Sequence, residues 1–278
     1  MKLTVLIDNN TLIDRYFYGE PGVSYLIEEE NIKLLFDVGY SAAFIQNANK
    51  LNKSLMDINY IVISHGHQDH TWGLDPLIRL YGEAGAENIT HFKPTMIAHP
   101  LAFAPKDHPE LGEIGSIITL DKLSKHFKVQ LTKEPLWLNE NLVFLGEIAR
   151  TNDFENKSPI GTIEWQGRRL DDYLLDDSAL AYKTEEGLII ITGCSHSGIC
   201  NIVEYAKKVC GDQRVLEIIG GFHLLNPPEA LLKKTVDYLK QIGVKSLYAC
   251  HCTDLRSKIE LAQVANLKEV GVGLVLEY

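Results

Sequence analysis

No stretch of the chain approaches the ~18 uncharged apolar residues that a membrane-spanning helix needs, so no such helix is expected. Five cysteines, an odd number, give no disulfide framework. In a reducing compartment they are core, redox or ligand residues. Basic residues are outnumbered, 27 Lys and Arg against 37 Asp and Glu, for a net charge of −10. That balance argues against a broad nucleic-acid surface, which needs clustered cations. It leaves room for a local pocket that takes a small anion. Low-complexity tracts and short repeats are also missing. The start, Met1 to Asp8, lacks the long apolar region and cleavage site of a signal peptide and reads as a first strand. A cytoplasmic location is therefore expected. A length of 278 residues can bury a large core, and one domain over 1–278 is expected.

What is present is a concentration of ligand-type side chains. Ser64-His65-Gly66-His67-Gln68-Asp69-His70 packs three imidazoles and a carboxylate into six positions. The apolar run Ile58 to Ile63 leads in as a buried strand. A helix-like pattern follows through Leu74, Leu77, Ile78 and Tyr81. Ligands collect at the carboxyl ends of strands in open α/β sheets. In extended chain, residues two apart share a face, so His65 and His67 can grip one ion. Asp69 and His70 follow the bend and point towards a second. Imidazole and carboxylate suit zinc, with iron, manganese or nickel as alternatives.

Along the rest of the chain, Val23 to Glu28 and Ile32 to Val38 read as paired strands. Ser41 to Leu51 reads as a helix, and Thr95 to His99 as a short strand whose His99 is structural. From Leu101 to Pro135 the pattern weakens, which suggests an insertion around 101–135 able to cover the site as a lid. A polar segment runs from Arg150 to about Asp172 and carries Arg168-Arg169, a candidate anion contact whose plainer reading is two solvated arginines in a loop. Asp177 to Tyr182 and Leu188 to Ile191 form a hairpin. Beyond it, strands alternate with helices, which predicts a largely parallel arrangement. Four strand ends then carry histidine: the cluster at 65–70, His196, His223 and His251. Their convergence on one pocket is the central expectation. Cys250 and Cys252 flank His251 and, if extended, point away from it as packing residues.

The His-X-His-X-Asp-His pattern after a buried strand resembles the metallo-β-lactamase superfamily. The resemblance implies a four-layer αββα sandwich with one or two divalent metals. The strand-end convergence points to His196 as third ligand beside His65 and His67 and to His251 beside Asp69 and His70, and the resemblance adds Asp37 as a support for the metal loop. Two places depart from the pattern. The usual third histidine of a Gly-His-Thr turn is replaced by Gly146-Glu147-Ile148. The usual bridging aspartate is replaced by Gly193-Cys194-Ser195-His196. Cys194, His196 or Glu147 could therefore complete the first position. Asp69 and His223 are the candidate catalytic groups, Asp69 for orienting or deprotonating water and His223 as acid/base or anion contact.

Further segments narrow the likeness: Asp8-Asn9-Asn10, Leu35 to Gly39, Asp177 to Leu180, Thr192 to Gly198, Gly220 to Leu224 and Cys250 to Thr253. Together they resemble the branch named for 7,8-dihydropterin-6-methyl-4-(β-D-ribofuranosyl)-aminobenzene-5′-phosphate synthase. That branch implies condensation of a dihydropterin diphosphate with loss of diphosphate. A metal-dependent enzyme on a small phosphorylated, anionic substrate is expected, with a hydrolase of a phosphoester, lactone or thioester as the alternative. A nuclease and a non-catalytic metal or ligand sensor are the readings from other classes. A homo-oligomer is compatible with all of them.

Overall fold

Alternation along the strands sets the layering. In the strand Leu188–Thr192, Ile189 and Ile191 join one buried cluster while Leu188 and Ile190 join another. Leu180 and Tyr182 are divided from Ala179 and Ala181 in the same way, and Leu34 and Phe36 from Leu35. Successive strand side chains point to opposite faces, so strands that are apolar throughout must be covered on both sides.

The structure, a computed structural model, describes residues 1–278. One sheet runs in the order Val275–Glu277, Lys2–Ile7, Ser24–Glu29, Ile32–Phe36, Tyr60–Val62, Thr95–Ala98, Lys128–Leu131. A second runs Asn266–Leu267, Ser246–Cys250, Val215–Gly221, Leu188–Thr192, Ala179–Lys183, Leu142–Phe144, Leu136–Trp137. The inner cluster draws on both sheets, with Leu3, Val5 and Phe36 against Phe144, Ile191 and Ile219. Helix Leu74–Ala86 covers the first sheet through Leu74, Leu77, Tyr81 and Ala84, a spacing that keeps one helical face apolar. Ile199–Cys210 and Glu229–Ile242 cover the second. The result is the expected four-layer αββα order. Leu188–Thr192, Val215–Gly221 and Ser246–Cys250 pair in parallel, so their carboxyl ends share one edge. No helix is long and apolar enough to cross a membrane.

Two segments differ from the sequence reading. The polar stretch after Arg150 contains a hairpin, Gly161–Trp165 with Arg168–Asp172, turning at Gln166 and Gly167. Most of its second strand is exposed, so it carries no apolar alternation to reveal it. The stretch 101–135 is split rather than one insertion. Lys106–His108 and Gly112–Glu113 pair with that hairpin in a small third sheet. Leu120–His126 and Lys128–Leu131 instead complete the edge of the first sheet, because Leu123 and Phe127 are buried in its outer cluster.

Candidate metal centre

Five strand ends meet at one edge of the sandwich. They deliver Asp37, the loop Ser64 to His70, Cys194 to His196, His223 and His251. Asp37, Ser195, His223 and His251 have φ of 55°, 60°, 51° and 50°, the left-handed region. Non-glycine residues there cost about 1–3 kcal/mol each and persist only where their surroundings hold them. Two glycines permit the close approach. A Cβ at Gly66 would overlap the Ala102 carbonyl oxygen, and one at Gly193 would meet Ser64 Oγ and Asp37 Oδ2.

The first donor set is a triangle of imidazoles. His65, His67 and His196 have ring centroids 4.7, 4.7 and 4.8 Å apart. All three are buried. Burial pushes His67 down to about 3 and holds His65 and His196 well below the usual imidazole range, so each ring is neutral. The second set is Asp69, His70 and His251. Asp69 Oδ2 lies 3.6 Å from His70 Nε2 and 3.3 Å from His251 Nε2. The Cys194 sulfur sits between the sets, within 4.8 Å of ligand atoms of His65 and His196 on one side and of His70 and His251 on the other.

The rings are aimed by their far nitrogens. Asp37 is fully buried and accepts from the Ser64 N–H, the Ser64 hydroxyl and His70 Nδ1, each at 2.7 Å. With its proton committed to Asp37, the Ser64 oxygen accepts from His65 Nδ1 at 2.9 Å. Both imidazoles therefore present Nε2 inward. His251 is held by Asp8, which accepts its N–H at 2.9 Å, and by Asn9 Oδ1, 3.2 Å from Nδ1. This is how metal-binding histidines are usually oriented. His65 Nε2, His67 Nε2, His70 Nε2 and both nitrogens of His196 are buried with no protein partner. Five such orphans in one place would cost several kcal/mol unless something binds them. Imidazole, carboxylate and thiolate donors fit a borderline cation such as zinc or iron.

Residues 18–142 match the family model of the metallo-beta-lactamase superfamily. The 7,8-dihydropterin-6-methyl-4-(beta-D-ribofuranosyl)-aminobenzene-5'-phosphate synthase of Methanocaldococcus jannaschii is 31% identical over 266 residues, covering 93% of this chain and 89% of that protein. The chain belongs to the metallo-β-lactamase superfamily. An uncharacterised protein of the same organism is also 31% identical, over 99% of both chains. Among solved structures, a metal-dependent hydrolase of the beta-lactamase superfamily superimposes with a TM-score of 0.83 at 29% identity, covering 100% of this chain and 99% of that one.

Within this metallo-β-lactamase frame, all six expected ligands lie together, and the open question at the first position narrows to His196 and Cys194. Glu147 is elsewhere: its carboxylate is 3.0 Å from both His99 Nε2 and Lys133 Nζ. His99 is thereby accounted for as a structural residue. Arg169 bonds Thr162 and approaches Asp107 on the exposed hairpin, remote from any ligand role.

Cys252 corrects the sequence reading. It was expected to point away from His251, but the positive φ at His251 breaks the alternation. Its sulfur lies 3.1 Å from Cys194 Sγ and accepts the His223 N–H at 3.2 Å. Burial works against a thiolate there, yet the Cys194, His251 and His223 contacts hold Cys252 well below the usual thiol range. Cys250 is buried as expected, against the Tyr25 hydroxyl at 3.3 Å. The His223 ring packs on His196 at 4.2 Å between centroids, with Nδ1 3.9 Å from the Cys194 sulfur, and it remains exposed.

Sequence reasoning missed a buried support. Lys106 Nζ donates to Asp172 and Asp176 at 2.9 Å each, and the other Asp176 oxygen accepts the Gly66 N–H at 2.8 Å. No motif announces this lysine, because its partners lie 66 and 70 residues downstream.

Proposed function

We propose that this protein is a metal-dependent enzyme acting on a small phosphorylated substrate. The observation that carries the proposal is the convergence of orphaned, oriented imidazole nitrogens on the Asp69 carboxylate and the Cys194 sulfur. His65, His67 and His196 would hold one divalent ion, and Asp69, His70 and His251 a second, with Cys194 shared. Ions held there supply positive charge against phosphate oxygens and a departing diphosphate or alkoxide. Asp69, partly open to solvent, accepts a proton from the attacking group. His223 packs on His196 and is exposed, a position from which it passes a proton to the leaving group.

Within that class, similarity to the M. jannaschii synthase over nearly the whole chain supports condensation of a dihydropterin diphosphate with a ribofuranosyl-aminobenzene phosphate. The 0.83 TM-score to a metal-dependent hydrolase supports hydrolysis as the second reading. One assay separates them. Protein loaded with zinc, iron or manganese is given the pterin diphosphate with and without the aromatic acceptor, and diphosphate is measured. Release only with acceptor supports the synthase, and release without it the hydrolase. H67A and H70A should lose bound metal and turnover together. Unchanged metal content in both variants would end the proposal.

A further inference from the structure

A cavity of about 440 Å³ opens beside His67 and Asp69. Part of its wall comes from the small third sheet and the residues beside it, with His108, Leu111 and Ile114, and Tyr40 also lines it. None of its nine lining residues is lysine or arginine. The nearby Lys106 ammonium is already engaged by two carboxylates at 2.9 Å. An anion in this cavity therefore meets no fixed cation of the protein. Outside the metal donors, His108 is the one imidazole in the lining, and its ring N–H can donate to an anion.

The geometry of His108 leaves one ring nitrogen free to donate. Its Nδ1 accepts the Glu110 N–H at 3.2 Å. The proton of the neutral ring is therefore on Nε2, which is left to donate. The wall that carries it is fixed to the metal loop at several points. Gln68 N–H donates to the Ile114 carbonyl at 2.8 Å, and Trp72 Nε1 to the Gly115 carbonyl at 2.8 Å. Lys106 and Asp176 join the strand that carries His108 to Gly66. The segment expected as a lid is thus a pre-positioned wall at residues 106–115. Tyr40 is stacked on Trp72 at 4.9 Å and is 43% exposed, so a rigid aromatic face borders the same cavity.

We infer that His108 binds the phosphoryl group of a substrate whose flat aromatic part lies along Tyr40. This rests on the reading of the centre as one that handles phosphorylated substrates. The test is calorimetric titration of the metal-loaded full chain with inorganic phosphate and with phenyl phosphate. Losing a charge-assisted hydrogen bond should weaken both in H108A by about 10- to 100-fold. H108Q, which retains a donor, should recover part of that loss, and it carries the test if H108A does not fold. Y40A should weaken phenyl phosphate more than phosphate, while H126A, on the exposed surface, should change neither. Bound metal should be equal in all variants. Phosphate binding within twofold of the native protein in both His108 variants, or no phosphate binding by the native protein, overturns the inference. Weakened phosphate binding in a protein that turns over no phosphorylated compound would leave His108 assigned and remove the catalytic reading instead.

Discussion

Replacing Asp37 by Asn tests the physical basis of the centre most directly. The native carboxylate takes three donors on two oxygens, each at 2.7 Å, with no exposure to water. The amide has one accepting oxygen. If that oxygen keeps the Ser64 N–H, the amide nitrogen faces the Ser64 hydroxyl and His70 Nδ1, donor against donor. Ser64 can rotate its hydroxyl, but then no longer presents the same acceptor to His65. His70 can escape only by giving up its Nδ1 proton, which leaves the remaining one on Nε2, the atom an ion would use. A lost charge-assisted bond together with a stranded buried donor costs about 3–5 kcal/mol. Removing such an outer partner also weakens metal binding by about 10- to 100-fold. Urea unfolding of the metal-free protein measures the first effect, and competition with a chromophoric chelator the second. A stability change under about 0.5 kcal/mol with affinity within twofold would refute the orientation argument, since surface substitutions do as little.

Two further outcomes follow from buried charge. K106M leaves Asp172 and Asp176 without their cation and should destabilise the fold by about 3–5 kcal/mol in urea unfolding, whereas a loss under 1 kcal/mol would show the pair to be dispensable. In the metal-free protein burial pulls the His70 pKa down, but Asp69 and Asp37 outweigh it and raise it to about 9. That raised value stabilises the metal-free fold below the free-imidazole pKa, ~6.5, and the stabilisation is lost as pH rises through about 9. An incoming ion must displace the same proton. Metal affinity should therefore climb from pH 7 to 9, with proton release visible by calorimetry in buffers of different ionisation enthalpy. Affinity independent of pH over that range would contradict it.

The convergence of the six candidate residues was legible because each lies on a segment that follows an apolar strand, and strand ends on one sheet edge come together. The support network was not. Lys106 and Asp176 have no local pattern, and Cys252 was misplaced because extended geometry was carried past His251. Cys194 could be recognised as unusual, but not as the atom shared by both donor sets.

By itself, the sequence determined the donor chemistry and the layered fold. Side-chain alternation is a local property, and strands apolar on both faces admit few packings. Only the tertiary structure decided which nitrogens face inward, that Glu147 bonds His99 and Lys133, and that the 106–115 segment is tied to the loop at 65–70. Those choices are made by contacts between residues far apart in sequence, whose partners cannot be paired until the chain has closed.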